Sequence, residues 1–373
     1  MSRVLGIIIT GGRKESMKEL VAKRSVSAIP VGGKYRAIDF VLSNMINSGI
    51  DKVGVVTQYS FRSLMDHLGA GKEWDLDRRN NGLFMFPPYL AGENTGWYRG
   101  SADGMYSNIS FLKRSTDEYV IIATGNCIYK MDFNLLLEAH EKQEADITIM
   151  YRDMSDFDPV ELKEFGLIKL NNEGRIIDLR EKPETPDGKL ASLGIYIMKR
   201  TLLIELLEES EAHGHYDFVK DILIRKLDKL NIMGYEYKGY WRSLSSISMF
   251  YNCNMDMINP EIRQELFNTD GKVFTKVKDE TPTKYNEEAV VNHSIIADGC
   301  IIEGEVYDSV LSRGVKIGRG AVVRNSIIMQ DTVIEPNATL DYVILDKEVI
   351  VKEGKTLKGE RSFPIIVGKH IEI

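Results

Sequence analysis

The chain reads as a Rossmann-like α/β domain with a mostly parallel sheet, followed by a smaller parallel β-helix. Two patterns predict this. Through about residue 250, short β-rich runs alternate with longer helical patterns, the arrangement of strands joined by crossover helices. Near the carboxy end, aliphatic residues recur every six positions, the period of a coil whose inward side chains stack on those of its neighbours. A length of 373 residues also exceeds what one hydrophobic core usually serves.

Taken in order, the strands expected in the first part are Val4–Ile9, Lys52–Thr57, Tyr119–Ala123, Ile147–Tyr151 and Leu193–Met198. Ile38, Leu42, Met45 and Ile46 keep helical spacing. Leu135, Leu136, Ala139 and His140 do the same after a helix start near Asp132. This domain is expected to span 1–258. A linker running over the surface follows at 259–288, where Pro260, Pro282 and many charges interrupt the pattern. The β-helix occupies 289–373. Its aliphatic series are Ile296 and Ile302; Leu311, Ile317 and Val323; Ile328, Ile334 and Leu340; and Leu345, Val351 and Leu357. Gly299, Gly318, Gly320, Asn325 and Asn337 stand at the expected corners. A β-sandwich would alternate with period two instead.

Composition narrows the function classes. Apolar residues make up 43% and charged residues 28% of the chain, as in globular domains. The net charge of −7 is spread without basic blocks, which argues against nucleic acid as a partner. No apolar run approaches membrane-spanning length, and Val4–Ile9 runs straight into Thr10-Gly11-Gly12 rather than a cleavage site. Cys127, Cys253 and Cys300 form no C-x-x-C pair and are odd in number, so a reducing cytoplasm is the expected compartment.

Seven segments carry a resemblance: GGKYRAIDFVLSNMINSGI (32–50), ENTGWYRGSADGMYSN (93–108), TGNCIYKMDF (124–133), REKP (180–183), ASLGIYIM (191–198), YDFVKDIL (216–223) and GYWRSL (239–244). In that order, and with the β-helix behind them, they resemble the ADP-glucose pyrophosphorylases, or glucose-1-phosphate adenylyltransferases, along nearly the whole chain. The resemblance implies a nucleotidyltransferase domain of the GT-A-like kind, a left-handed β-helix and tetramers. It also implies a reaction in which the phosphate of glucose 1-phosphate displaces pyrophosphate from ATP. Such chemistry brings two polyanions together and needs cations, backbone donors and a magnesium ion held by hard oxygen ligands.

Set against the family's motifs, the nucleotide side departs. The loop that reads like GGxGTRLxxLT in active relatives is GGRKESMKEL here: Gly11, Gly12 and Arg13 persist, and Lys14 replaces the next glycine, hindering close backbone approach. Glu15 adds a negative charge. Gly11-Gly12 therefore reads either as a remnant of the loop or as a plain turn. Val26 stands where the R-x-K-P-A segment supplies a lysine, with Lys23 and Lys34 as the nearest substitutes. Of the two aspartates the resemblance assigns to the metal, the first is Asn126 and the second is the remnant Asp217. Ser243, Leu244 and Ser245 follow Trp241-Arg242 where relatives usually carry aspartate, a β-branched residue and glycine.

The sugar-phosphate side is better kept. Glu181 and Lys182 match the E-K-P pair, and Ser192, Tyr98 and Asp103 match other positions of that half. These residues are read either as a sugar-phosphate or effector site or as packing. Together the departures imply a non-catalytic, GlgD-type regulatory subunit of glycogen synthesis that needs no cofactor of its own. It would bind magnesium weakly or not at all and assemble with the catalytic subunit as a hetero-oligomer. An active sugar-1-phosphate nucleotidyltransferase with altered nucleotide or metal use is the alternative. A catalytic β-helix of the acyltransferase kind would need a histidine base, and offers only His293 and His370.

Overall fold

The computed structural model describes residues 3–12, 15–89, 96–269 and 271–373. The strands of the main sheet are β1 Val4–Ile9, β2 Lys52–Val56, β3 Gly82–Phe86, β4 Tyr119–Thr124, β5 Ile147–Asp153, β6 Gly166–Leu170, β7 Ile176–Glu181, β8 Leu190–Lys199 and β9 Ile232–Glu236. They form one nine-stranded sheet in the order β7-β6-β8-β4-β1-β2-β3, with β5 pairing β8 and β9. β1 runs parallel to β2 and β4, and β3 runs parallel to β2. β8 is antiparallel to β4 and β5, so the sheet is mixed where the pattern suggests parallel pairing. Alternating apolar runs do not encode strand direction, and only the connection lengths hint at it.

β1 explains why its sequence is apolar without a break. Val4 and Ile8 enter one core layer while Leu5 and Ile7 enter the other, both buried. Helices α1 (Ala37–Asn47) and α2 (Phe133–Lys142) cover the first face through Ile38, Val41, Leu42, Met45, Phe133 and Leu136. Helix α3 (Arg200–Ala212) covers the second through Leu203, Leu206 and Leu207. The Asp132 side chain caps α2 by accepting from the Asn134 N–H at 2.9 Å. No helix among the described residues is long and apolar enough to cross a membrane.

The segment expected as a linker is not all surface chain. Pro260–Asn268 forms a helix whose Leu266 is fully buried, with Asn259 as its cap and Pro260 in its first turn. The dense charges of that stretch occupy the helix's outer face, so composition alone misread it.

The carboxy-terminal region is a stack of parallel strands in three five-stranded sheets. One sheet buries Ile302, Ile317, Ile334 and Val351; the second Val306, Val323 and Leu340; the third Leu311, Ile328 and Leu345. The six-residue period is real along most sides, but the coil advances 17 residues from Ile317 to Ile334 to Val351 and 15 from Ile302 to Ile317, because sides are shortened. Corners stack as well. Gly320, Asn337 and Gly354 take φ of +69°, +59° and +68°, the left-handed region open to Gly and Asn.

The third sheet's outer face docks on the α/β domain, where Ile327, Met329 and Ile344 join Ile29, Val31, Phe250, Tyr251 and Met257 in one core. The turn Gly32-Gly33, at φ +58° and +84°, drives a short hairpin against the coil: a Cβ on Gly33 would lie 3.3 Å from the Leu311 carbonyl. Beside it, Arg24 pairs with Asp346, one guanidinium nitrogen donating to both carboxylate oxygens at 2.7 and 2.8 Å, with side chains only 7% and 2% exposed. Asp346→Ala leaves Arg24 charged and buried without its partner, and should lower stability by about 3–5 kcal/mol. Arg24→Met/Asp346→Leu should lose far less. Urea unfolding checks both, and an unchanged midpoint for Asp346→Ala would refute the role of this pair.

Candidate functional site

β1 is paired on one side with β2, the next parallel strand of the main sheet, and on the other with β4, so the carboxyl ends of β1 and β4 flank the point where the strand order reverses. Open α/β sheets place ligands at such a point. A cavity of about 220 Å³ lies there, lined by Gly11 and Gly12 after β1, by Thr124, Asn126 and Cys127 after β4, and by Glu181, Lys182 and Ser192 from the far strands.

The two halves of this cavity differ. At one end, Glu181 closes β7 opposite Gly166, which begins β6. A Cβ on Gly166 would meet the Glu181 carboxylate at 2.9 Å, so that glycine lets the acid reach the cavity. Lys182 is held at φ +50°, its N–H donating to the Phe165 carbonyl at 3.1 Å and its amine 3.8 Å from Glu181. Ser192 comes from β8 beside a register shift, and burial followed by the Glu181 charge pushes the neighbouring Tyr196 phenol upward.

At the other end, Cys127–Tyr129 pairs antiparallel with Trp241–Ser243, Cys127 opposite Ser243. That register sets the Asn126 amide 3.4 Å from the Ser243 hydroxyl, while Ser243 and Ser245 share a 2.7 Å hydrogen bond. Ser16 donates to the Ser245 carbonyl at 2.7 Å, tying the loop after β1 to the same cluster. Four neutral side chains thus meet where a magnesium site would need anionic oxygens, and this donor set does not fit that ion. Among the described residues, no group of three or more His, Cys, Asp or Glu is placed to hold a metal.

Other expected residues fall elsewhere. Asp217 does not line the cavity; its carboxylate caps the helical turn that follows, accepting from the Val219 and Lys220 N–H groups at 3.0 and 2.8 Å. Ser243, whose hydroxyl lies 3.4 Å from the Asn126 amide, is the side chain the geometry brings beside Asn126 instead. Tyr98 and Asp103 also lie outside the lining. The Tyr98 hydroxyl donates to the Pro87 carbonyl and accepts from Asn108, and Asp103 binds the Arg99 backbone and guanidinium. Val26 is 4% exposed, packed with Met17, Leu20 and Phe250. Lys23 is exposed and does not line the cavity, and Lys34 faces a different cleft. Arg13 and Lys14 lie outside the described residues. His293 and His370 pair with Asp308 and Glu348 at the surface, 2.5 and 2.8 Å away, and both remain more than half exposed.

That different cleft, of about 190 Å³, was not anticipated. It opens between the hairpin of the α/β domain and the β-helix, lined by Lys34, Arg36, Lys276, Lys278, Arg313 and Lys347 against the single carboxylate of Asp66. Arg313 is 9% exposed, and its Nε is buried without a hydrogen-bond partner. Its cations come from separate stretches of sequence, so no local basic run announces them.

The sequence profile described as nucleotidyl transferase matches residues 5–259, and that described as GlmU-like, C-terminal hexapeptide matches residues 278–361. The chain is 35% identical to a glucose-1-phosphate adenylyltransferase of Bacillus anthracis, over 98% of this chain and 97% of the relative. A Bacillus cytotoxicus protein of the same description is 36% identical over 97% and 96%. The chain belongs to the glucose-1-phosphate adenylyltransferase family. Its fold is that family's α/β nucleotidyltransferase domain followed by a left-handed β-helix.

Within this family member, replacing Asn126 and Ser243 by aspartate puts two carboxylates within reach of one ion. Asn126→Asp/Ser243→Asp should bind Mn²⁺ roughly tenfold or more tightly than the parent chain, read by electron paramagnetic resonance. No gain in a folded double variant would contradict this placement.

Proposed function

We propose that this chain is a catalytically impaired member of the family, of the GlgD type, that serves glycogen synthesis in the cytoplasm as a regulatory and assembly partner of a catalytic subunit. The observation that carries the reading is the neutral cluster of Asn126, Ser243, Ser245 and Ser16 at the nucleotide end of the cavity. An adenylyl transfer needs charge to be neutralised as it develops, and preorganised ionic groups supply that most effectively. A buried Val26 supplies none.

Two features support a regulatory role. Glu181, Lys182 and Ser192 still converge on the cavity, a set suited to a sugar phosphate held without a metal. The cationic cleft at the junction with the β-helix is suited to an anionic effector, because a buried guanidinium nitrogen without a hydrogen-bond partner is costly until an anion meets it.

Mixing this chain with a catalytic glucose-1-phosphate adenylyltransferase subunit should yield a hetero-oligomer by mass, and should shift the activity curve of the catalytic subunit with phosphorylated effectors. Separate masses and an unchanged curve would sink the partner reading. Lys182→Ala should weaken glucose 1-phosphate binding to the isolated chain roughly tenfold to a hundredfold, by loss of a charged hydrogen bond. Calorimetry with equal affinity for parent and variant would exclude the sugar half-site.

A further inference from the structure

The effector cleft carries more positive charge than its surroundings balance, and the imbalance centres on Lys347. Arg36 and Arg24 face this amine from the α/β domain, and Lys278 faces it from the connecting segment. Its neighbour Asp346 is already engaged, both carboxylate oxygens accepting from Arg24 and one also from the Lys347 N–H at 2.7 Å. On the other flank Glu348 pairs with Lys369 and His370. Across the cleft lie Lys34, Tyr35, Lys276 and Arg313, with Asp66 as the one carboxylate among the lining residues. His67 beside them is bound to Asp39 at 2.6 Å, and that acid also accepts from the Arg36 N–H at 2.9 Å.

We propose that this cleft takes up its anion together with a proton, and that the proton goes to the Lys347 amine. The inference rests on the effector reading above and adds the coupling to pH. In the empty cleft, burial first and then the charges of Arg36, Arg24 and Lys278 lower Lys347 from 10.5 to about 7. Keeping the amine charged there costs folding stability below about pH 7, and the cost fades as pH rises toward the unfolded value near 10.4. A dianion among these groups reverses the local potential and restores the charged amine. Neither His67 nor Arg36 moves into the range between about pH 7 and 9: burial pushes His67 below its usual value, and burial lowers Arg36 only to about 10.

Sulfate is the suitable probe, because it does not titrate near neutrality. Calorimetry of the full chain at constant ionic strength, in buffers of different ionisation enthalpy, reads affinity and proton uptake together. Sulfate affinity should be flat below about pH 7 and fall up to about tenfold per unit above it, with uptake approaching about one proton near pH 8 to 9. Lys347→Arg should hold its affinity across that range with no uptake, and Lys347→Met should bind weakly throughout with no uptake. Sulfate binding by the parent chain without proton uptake would overturn this inference and leave the effector cleft standing. Absence of sulfate binding at any pH would overturn both.

Discussion

The buried pair of Arg24 and Asp346 is the constraint around which the two domains are arranged. It sits at the edge of an apolar contact in which Ile327 and Ile344 of the β-helix meet Ile29, Val31 and Phe250. An apolar face alone would tolerate sliding, whereas a buried, charge-assisted hydrogen bond between guanidinium and carboxylate is directional. The pair fixes the stretch from Arg24 to Arg36, which carries Val26 in the junction core and Lys34 and Arg36 on the cleft side. One short segment therefore joins the junction core, through the buried Val26, to the cations of the cleft.

Charge is distributed accordingly. At the carboxyl ends of β1 and β4, one end of the cavity holds amide and hydroxyl groups that bond to one another. Such a cluster is stable because neutral donors and acceptors pair locally at little desolvation cost. At the domain junction the reverse holds: cations line a cleft and one guanidinium nitrogen stays unsatisfied, an arrangement that anticipates an anion from solution. The first site has become self-sufficient, and the second is incomplete by itself.

Much of the fold was legible in the sequence because its signals are periodic and local. β1 and α1 follow from apolar spacing, the Asp132 cap from its chemistry, and the coils from six-residue repetition. Strand direction in β8 and the 17-residue coil were not, since both depend on which turns shorten a connection. In the site, Glu181, Lys182, Ser192 and Asn126 line one cavity. Asp217 caps a turn outside that lining, a difference the sequence does not carry, because a carboxylate ahead of a helical turn reads alike whether it binds an ion or caps the turn. Ser243 was noticed only as a departure; its pairing with Asn126 required the antiparallel register between two strands more than a hundred residues apart. The cleft stayed hidden because its cations are distant in sequence and meet only after the domains dock.

On the reading proposed above, the end of the cavity around Asn126 and Ser243 does not drive adenylyl transfer. Pyrophosphate release by the isolated chain, given ATP, glucose 1-phosphate and Mg²⁺, measures it most directly. The account predicts a rate at least about 10³-fold below that of a catalytic glucose-1-phosphate adenylyltransferase under the same conditions. A rate within about tenfold of that enzyme would contradict it.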